Sequence, residues 1–234
     1  MDDTPLTRAK AGMEGRRRAI ASDLRQILDN PKGLPYPIGY LTALYGLVHQ
    51  TVTAHSQLWD AAAEKNVMYC AYNTRNLLEL GIWSEYCCRS VEHGLRFAED
   101  TVRDYAGILV AIRDVATGLD DQKSRTDLAE LLANHAVRST ALGMGAEDRG
   151  YLRINAAAKE LGPEVEQSFK AVNTVVSKFV HPTAFVVNNA AFPQWDDAFV
   201  KEVVLQMFAI GISRADAIIE RISAKVVGMK TEAV

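Results

Sequence analysis

From Met13 to Val115, and again from Val165 to Val227, apolar residues recur every three or four positions. That is the period of a helix, which closes its backbone hydrogen bonds internally and leaves one apolar stripe to be buried. The expectation is an all-α chain with helix content above about 65%, against a base rate of about one third. Of the 234 residues, 48% are hydrophobic and 24% charged, enough apolar material for one sizeable core. No segment repeats at a fixed period and none is low in complexity. We therefore expect one domain over residues 1–234, a single antiparallel helical bundle with long core helices.

Breakers divide the chain. Thr4 before Pro5 signals a helix start, and the first helix should end near Asp29. Asn30 to Gly39, with Pro31, Gly33, Pro35 and Pro37, must be a loop. A second helix follows from about Ile38 to Asp60, and a third from about Ala62 to Ser90. The fourth, with Tyr105, Ile108, Leu109, Ile112 and Val115 on one face, stops at Gly118. Thr126 to Thr140 and Leu152 to Leu161 read as shorter helices; Gly162 and Pro163 open a seventh, which Pro182 closes. A short irregular segment is expected near 183–195, where Ala184 to Val187 has strand character. The last helix should start at Asp196 or Asp197, reach about Val227 and fray beyond Met229. Helices three, four, seven and eight are the expected core.

Several classes fall away on charge and composition. A net charge of -3 and a pI near 6.0 argue against a general electrostatic grip on nucleic acid. A local basic cluster remains at Arg8, Lys10, Arg16, Arg17, Arg18 and Arg25. Met1 to Gly12 lacks the pattern of a secretory signal, and no apolar run approaches the roughly 18 residues of a membrane span. A cytoplasmic protein with no membrane partner is expected. Cys70, Cys87 and Cys88 have neither the even count of a disulfide framework nor zinc-site spacing, so they read as reduced core residues.

The third helix carries the candidate site. Within its apolar run stand Tyr69, Tyr72, Arg75, Asn76, Glu79 and Tyr86, a polar stripe in which Arg75 and Glu79 form an i,i+4 pair. A buried charge costs several kcal/mol unless paired, so this pair reads as a buried structural pair, a functional site or a solvated surface pair, in that order. A second polar set, Asn173, Ser177 and His181, shares the spacing on the seventh helix. His181, just before Pro182, can be held as imidazolium by the helix C-terminal dipole, or it can be a cap without chemistry. His49, His55, His93 and His135 are weaker candidates; His93 precedes Gly94, where a helix break is expected. No ExxH or HExxH pair, P-loop, GxGxxG or GxSxG is present. No cofactor and no metal ligands are expected.

Arg75-Asn-Leu-Leu-Glu79-Leu-Gly-Ile-Trp-Ser-Glu-Tyr86, followed about a hundred residues on by Ser177-Lys-Phe-Val-His181-Pro182, resembles uncharacterised bacterial helical proteins similar to the HEPN superfamily. That superfamily of small helical bundles includes metal-independent ribonucleases of toxin and phage-defence systems as well as inactive binding versions. The resemblance implies that His181 would take the proton from a ribose 2′-hydroxyl or deliver one to the leaving oxygen, that Arg75 would stabilise phosphate charge and that Glu79 would orient Arg75. Tyr72, Asn76 and Ser177 would supply hydrogen bonds, with Asn173 beside them. Active members carry an arginine four to six residues before the histidine, whereas the residues before His181 include Lys178 and no arginine within that window. A binding or interaction module, with RNA or a protein as partner, is therefore the first expectation and a HEPN-like endoribonuclease the alternative. A third version makes the chain an oligomerisation domain, with a homodimer as the simplest case.

Overall fold

Thr4 caps the first helix: its Oγ1 accepts the Thr7 N–H at 3.2 Å, and Pro5 takes the first turn, where its missing N–H leaves nothing unpaired. A computed structural model describes residues 4–30, 36–118, 122–141, 151–180 and 197–233. Among them eight helices take up nearly all of the chain: α1 (Pro5–Leu28), α2 (Ile38–Ala63), α3 (Val67–Arg89), α4 (Val91–Gly118), α5 (Gln122–Ala141), α6 (Ile154–Leu161), α7 (Pro163–Val180) and α8 (Asp197–Ala233). The fold is all-α. The expected irregular segment near 183–195, together with His181 and Pro182, lies outside the described residues.

Several boundaries differ from the periodicity. α3 begins at Val67 rather than Ala62, because Lys65 turns to a positive φ of 54° and Asn66 then caps the helix, its Oδ1 accepting the Tyr69 N–H at 3.1 Å. α3 stops at an extended Ser90, where its end is expected, and α4 starts one residue on and runs through His93 and Gly94, where a break is expected. α8 does not fray beyond Met229. Met229 is buried, Lys230 pairs with Asp23 at 2.5 Å and Tyr36 donates to Glu232, so tertiary contacts hold the last turns.

Residue pairs give the helix directions. Lys10 meets Asp60 and Arg17 meets Tyr45, so α1 and α2 are antiparallel. Tyr40 Oη donates to the Cys87 carbonyl while Thr53 and Gln57 face Tyr72 and Asn76, so α2 and α3 are antiparallel too. α8 runs parallel to both flanking helices: Arg16 meets Asp216 and Asp23 meets Lys230 on α1, and Thr74 meets Met207 and Ser84 meets Arg221 on α3. Its contact with α3 is the most extensive between any two helices of the described chain.

Tyr40, Leu44, Leu58, Leu77, Ile218, Ile219 and Ile222 centre the core. At about 1.5 to 3 kcal/mol for each fully buried large side chain, these residues dominate stability. Two glycines set how close the helices come: a Cβ on Gly94 of α4 would lie 2.2 Å from the Tyr40 ring, and one on Gly211 of α8 would lie 2.3 Å from Leu58.

The expected core of helices three, four, seven and eight needs correction. α1 and α2 supply a large share of it, and α4 adds partly buried Val91, Leu95 and Phe97. Farther along the helix, Leu109 of α4 packs with Leu128 and Leu132 of α5 in a separate cluster. α4 also holds buried Asp100, which accepts from Arg103 at 2.6 Å, Arg96 at 3.2 Å and the Leu152 N–H at 2.8 Å, so a paired charge anchors the segment before α6.

Candidate functional site

The polar stripe of α3 is divided by its neighbours. Toward its C-terminal end α4 covers it: Trp83 lies 4.9 Å from Phe97 between ring centroids, Tyr86 lies 4.7 Å from His93, and Tyr86 is buried. Toward the N-terminal end Tyr69 and Tyr72 are exposed. Arg75 and Glu79 sit between. Their Nε and Oε1 atoms are 2.9 Å apart, but the side chains keep 29% and 31% of their surface, so the pair is half-buried and not the buried ion pair that its apolar surroundings predict. The residues hidden at the centre of α3 are instead the uncharged Asn73, Thr74 and Ser84. Thr74 Oγ1 donates to the Met207 carbonyl of α8 at 2.9 Å, and Asn73 Nδ2 donates to the Tyr69 carbonyl at 2.9 Å while its Oδ1 finds no partner among the described residues.

Tyr72, Asn76 and Glu79 line a cleft of about 420 Å³ against α2, closed by Gln50, Thr53 and Gln57 and floored by Ala54, Leu80 and Trp83. Neither Tyr72, Asn76, Gln50 nor Gln57 spends its side-chain hydrogen-bonding groups on another described residue. Residues 50, 53 and 57 of α2 escaped the sequence reading. Their signal was available, because a polar residue at i, i+3 and i+7 of an otherwise apolar helix marks one face.

Asn173 and Ser177 stand on α7, both half-buried. α7 meets α3 through Leu78, Gly81, Ile82 and Glu85, on nearly the opposite side of the helix from Tyr72 and Asn76 at about 100° per residue. The two polar sets therefore do not share one cleft, although Asn173 carries a buried Oδ1 without a partner among the described residues. His181 lies outside those residues.

Other ionisable groups have structural surroundings. Of the six basic residues of α1, Lys10 pairs with Asp60, Arg16 with Asp216, Arg17 and Arg18 with Glu14, and Arg25 with Asp29. The Arg17 hydrogen bond pulls Glu14 down to about 2. His55 is buried against Trp59, whose indole N–H donates to Nε2 at 3.2 Å, and burial lowers its pKa. His93 joins three helices: Nδ1 lies 2.6 Å from Ser90 Oγ and Nε2 lies 2.9 Å from Glu160, while Ser90 Oγ accepts the His93 N–H and so caps α4. Burial pushes the Cys70 thiol up to about 11 and raises Cys87 further, which keeps both protonated and unreactive.

Among the described residues no group of three or more His, Cys, Asp or Glu is placed to hold a metal ion, and no helix is long and apolar enough to cross a membrane. Comparison with protein-family models gives no match, and comparison with curated proteins and with solved structures likewise gives none.

Proposed function

We propose that the protein is a binding module whose ligand seats in the cleft between α2 and α3. The observation that carries this reading is unspent hydrogen-bonding capacity: Gln50, Gln57, Asn76 and Tyr72 converge on one cleft without satisfying one another. Three amides offer donors and acceptors side by side, and the Tyr72 ring and the Trp83 floor offer faces for a flat group. Glu79 brings a carboxylate, but Arg75 at 2.9 Å offsets it. This chemistry suits a small uncharged polar molecule of nucleoside or sugar size, and the cleft volume falls within the range of ligand sites. An RNA backbone fits less well, because carboxylates already engage most of the basic residues of α1.

Saturation-transfer NMR with a panel of nucleosides and mono- and disaccharides tests the reading. Transfer to at least one of these probes is expected, and Asn76→Ala combined with Gln57→Ala should abolish it. Transfer that survives the double variant, or none from any probe, overturns the cleft as the site. Cutting of single-stranded RNA in EDTA that His181→Ala abolishes, with DNA of the same sequence left intact, would move the assignment to the HEPN-like endoribonuclease.

A further inference from the structure

On the α3 side the cleft is lined by Tyr72, Asn76, Glu79 and Trp83, which step by four, three and four and so run down one side of the helix. At 1.5 Å per residue the two aromatic residues are set about 16 Å apart along the axis, one at each end of the row. A single nucleoside or hexose is too short to lie on both. Between them stand the Asn76 amide and the Glu79 carboxylate, with the amides of Gln50 and Gln57 on the α2 wall. Glu79 pairs with Arg75, and the Trp83 ring touches Tyr86 and Phe97. Beyond these contacts the six side chains hold no hydrogen bond, ion pair or ring contact with another described residue. Glu79 spends Oε1 on Arg75, so Oε2 is left to accept from a ligand.

We propose that the ligand of this cleft is a linear, neutral oligosaccharide, one outer ring lying against Tyr72 and the other against Trp83. The inference rests on the reading of the cleft as a binding site and narrows its ligand to one class. Sugar hydroxyls both donate and accept, which matches amides that do the same and a carboxylate that only accepts. The C–H faces of a pyranose are apolar and lie flat on an aromatic ring. An aromatic residue at each end with polar groups between them therefore suits the two outer rings and the hydroxyls of the middle one. The row spans about three helical turns, and a pyranose unit in a linear chain advances by roughly the 5.4 Å of one turn, so a trisaccharide fills it. Charge points the same way. Among the described residues no Lys, Arg or His lines the cleft and Glu79 is its one ionised group, so a neutral chain fits where a phosphate or an acidic sugar does not.

Isothermal titration calorimetry of the full chain with oligosaccharides derived from cellulose, xylan and chitin, each from monomer to tetramer, tests it. In at least one series the dissociation constant should fall at least about tenfold from monomer to trimer and level off at the tetramer. Tyr72→Ala should raise that of the trimer about tenfold and leave that of the dimer within about twofold, because a dimer still seats at the Trp83 end. Tyr72 is exposed, so its loss leaves the fold intact, which helical circular dichroism checks. Tyr151→Ala, at a similarly exposed tyrosine outside the cleft, should change neither value. An affinity that does not rise with chain length, trimer binding unaltered in Tyr72→Ala, or trimer binding weakened equally in Tyr151→Ala overturns the inference. Nucleoside binding that Asn76→Ala with Gln57→Ala abolishes, with no sugar bound, overturns it too and leaves the cleft reading standing. Titrations silent for sugars and nucleosides alike overturn both.

Discussion

The bundle of α1, α2, α3 and α8 and the arm of α4 and α5 are written in the same hydrophobic period, yet they end in opposite conditions. In the bundle the apolar stripe meets three neighbours, and Leu44, Leu58, Leu77 and Ile218 lose all contact with solvent. On the arm the stripe divides: Leu109 is buried against α5, while Ile108, one residue before it, is more than half exposed. Periodicity states that a face needs a partner, and it does not state whether that partner lies in the same chain.

The largest expected effect separates the two regions directly. Leu77→Ala empties a fully closed site and should cost about 3 kcal/mol, whereas Ile108→Ala in dilute protein should cost under about 1 kcal/mol. Urea midpoints at unchanged slope measure both, and equal losses would erase the distinction. Amide exchange should follow the same division, with α5 amides exchanging before those of α3.

A smaller effect probes the seam between α3 and α8. Thr74→Val removes the hydroxyl bonded to the Met207 carbonyl and should cost about 1 kcal/mol. Wild-type stability in this variant would place the seam's strength in its apolar contacts alone. Glu79→Ala should cost less again, under about 1 kcal/mol, since its pair with Arg75 is only half-buried. A loss near 3 kcal/mol would restore the buried pair that the sequence predicts.

The last effect is a pH dependence of the bundle. Burial depresses the pKa of His55 below its ordinary 6.5, so the unfolded chain binds the proton more readily. Its contribution is intact above pH 6.5 and is lost as pH falls through the folded-state value. His55→Gln should flatten the stability profile below pH 6.5, and an unchanged slope there would assign the acid sensitivity to other groups.

The elements were legible where local chemistry decides them. Thr4 and Pro5 start α1 and Pro163 opens α7, each at the residue expected. Sequence reasoning failed where tertiary contacts decide. The last turns of α8 look free to fray until Asp23 and Tyr36, some two hundred positions away, are seen to hold Lys230 and Glu232. The candidate site shows the same limit. Tyr72, Asn76 and Glu79 could be found because they interrupt an apolar helix, and they do line a cleft. Which side of α3 faces α2 and which faces α7 is a matter of packing, so Asn173 and Ser177 could not be separated from them by spacing alone.

The parallel course of α8 against α1 and α3 also governs the order of assembly. Its partners are separated from it by between about one hundred and thirty and two hundred residues. During synthesis the first three helices can therefore meet one another long before Ile218, Ile219 and Ile222 exist to cover Leu58 and Leu77. Such long-range closure is slow, because the entropy of a large loop must be lost before any contact offsets it. For that interval the nascent chain presents an apolar trough the length of α8, about 55 Å at 1.5 Å per residue, and protection from premature association matters most while it is open.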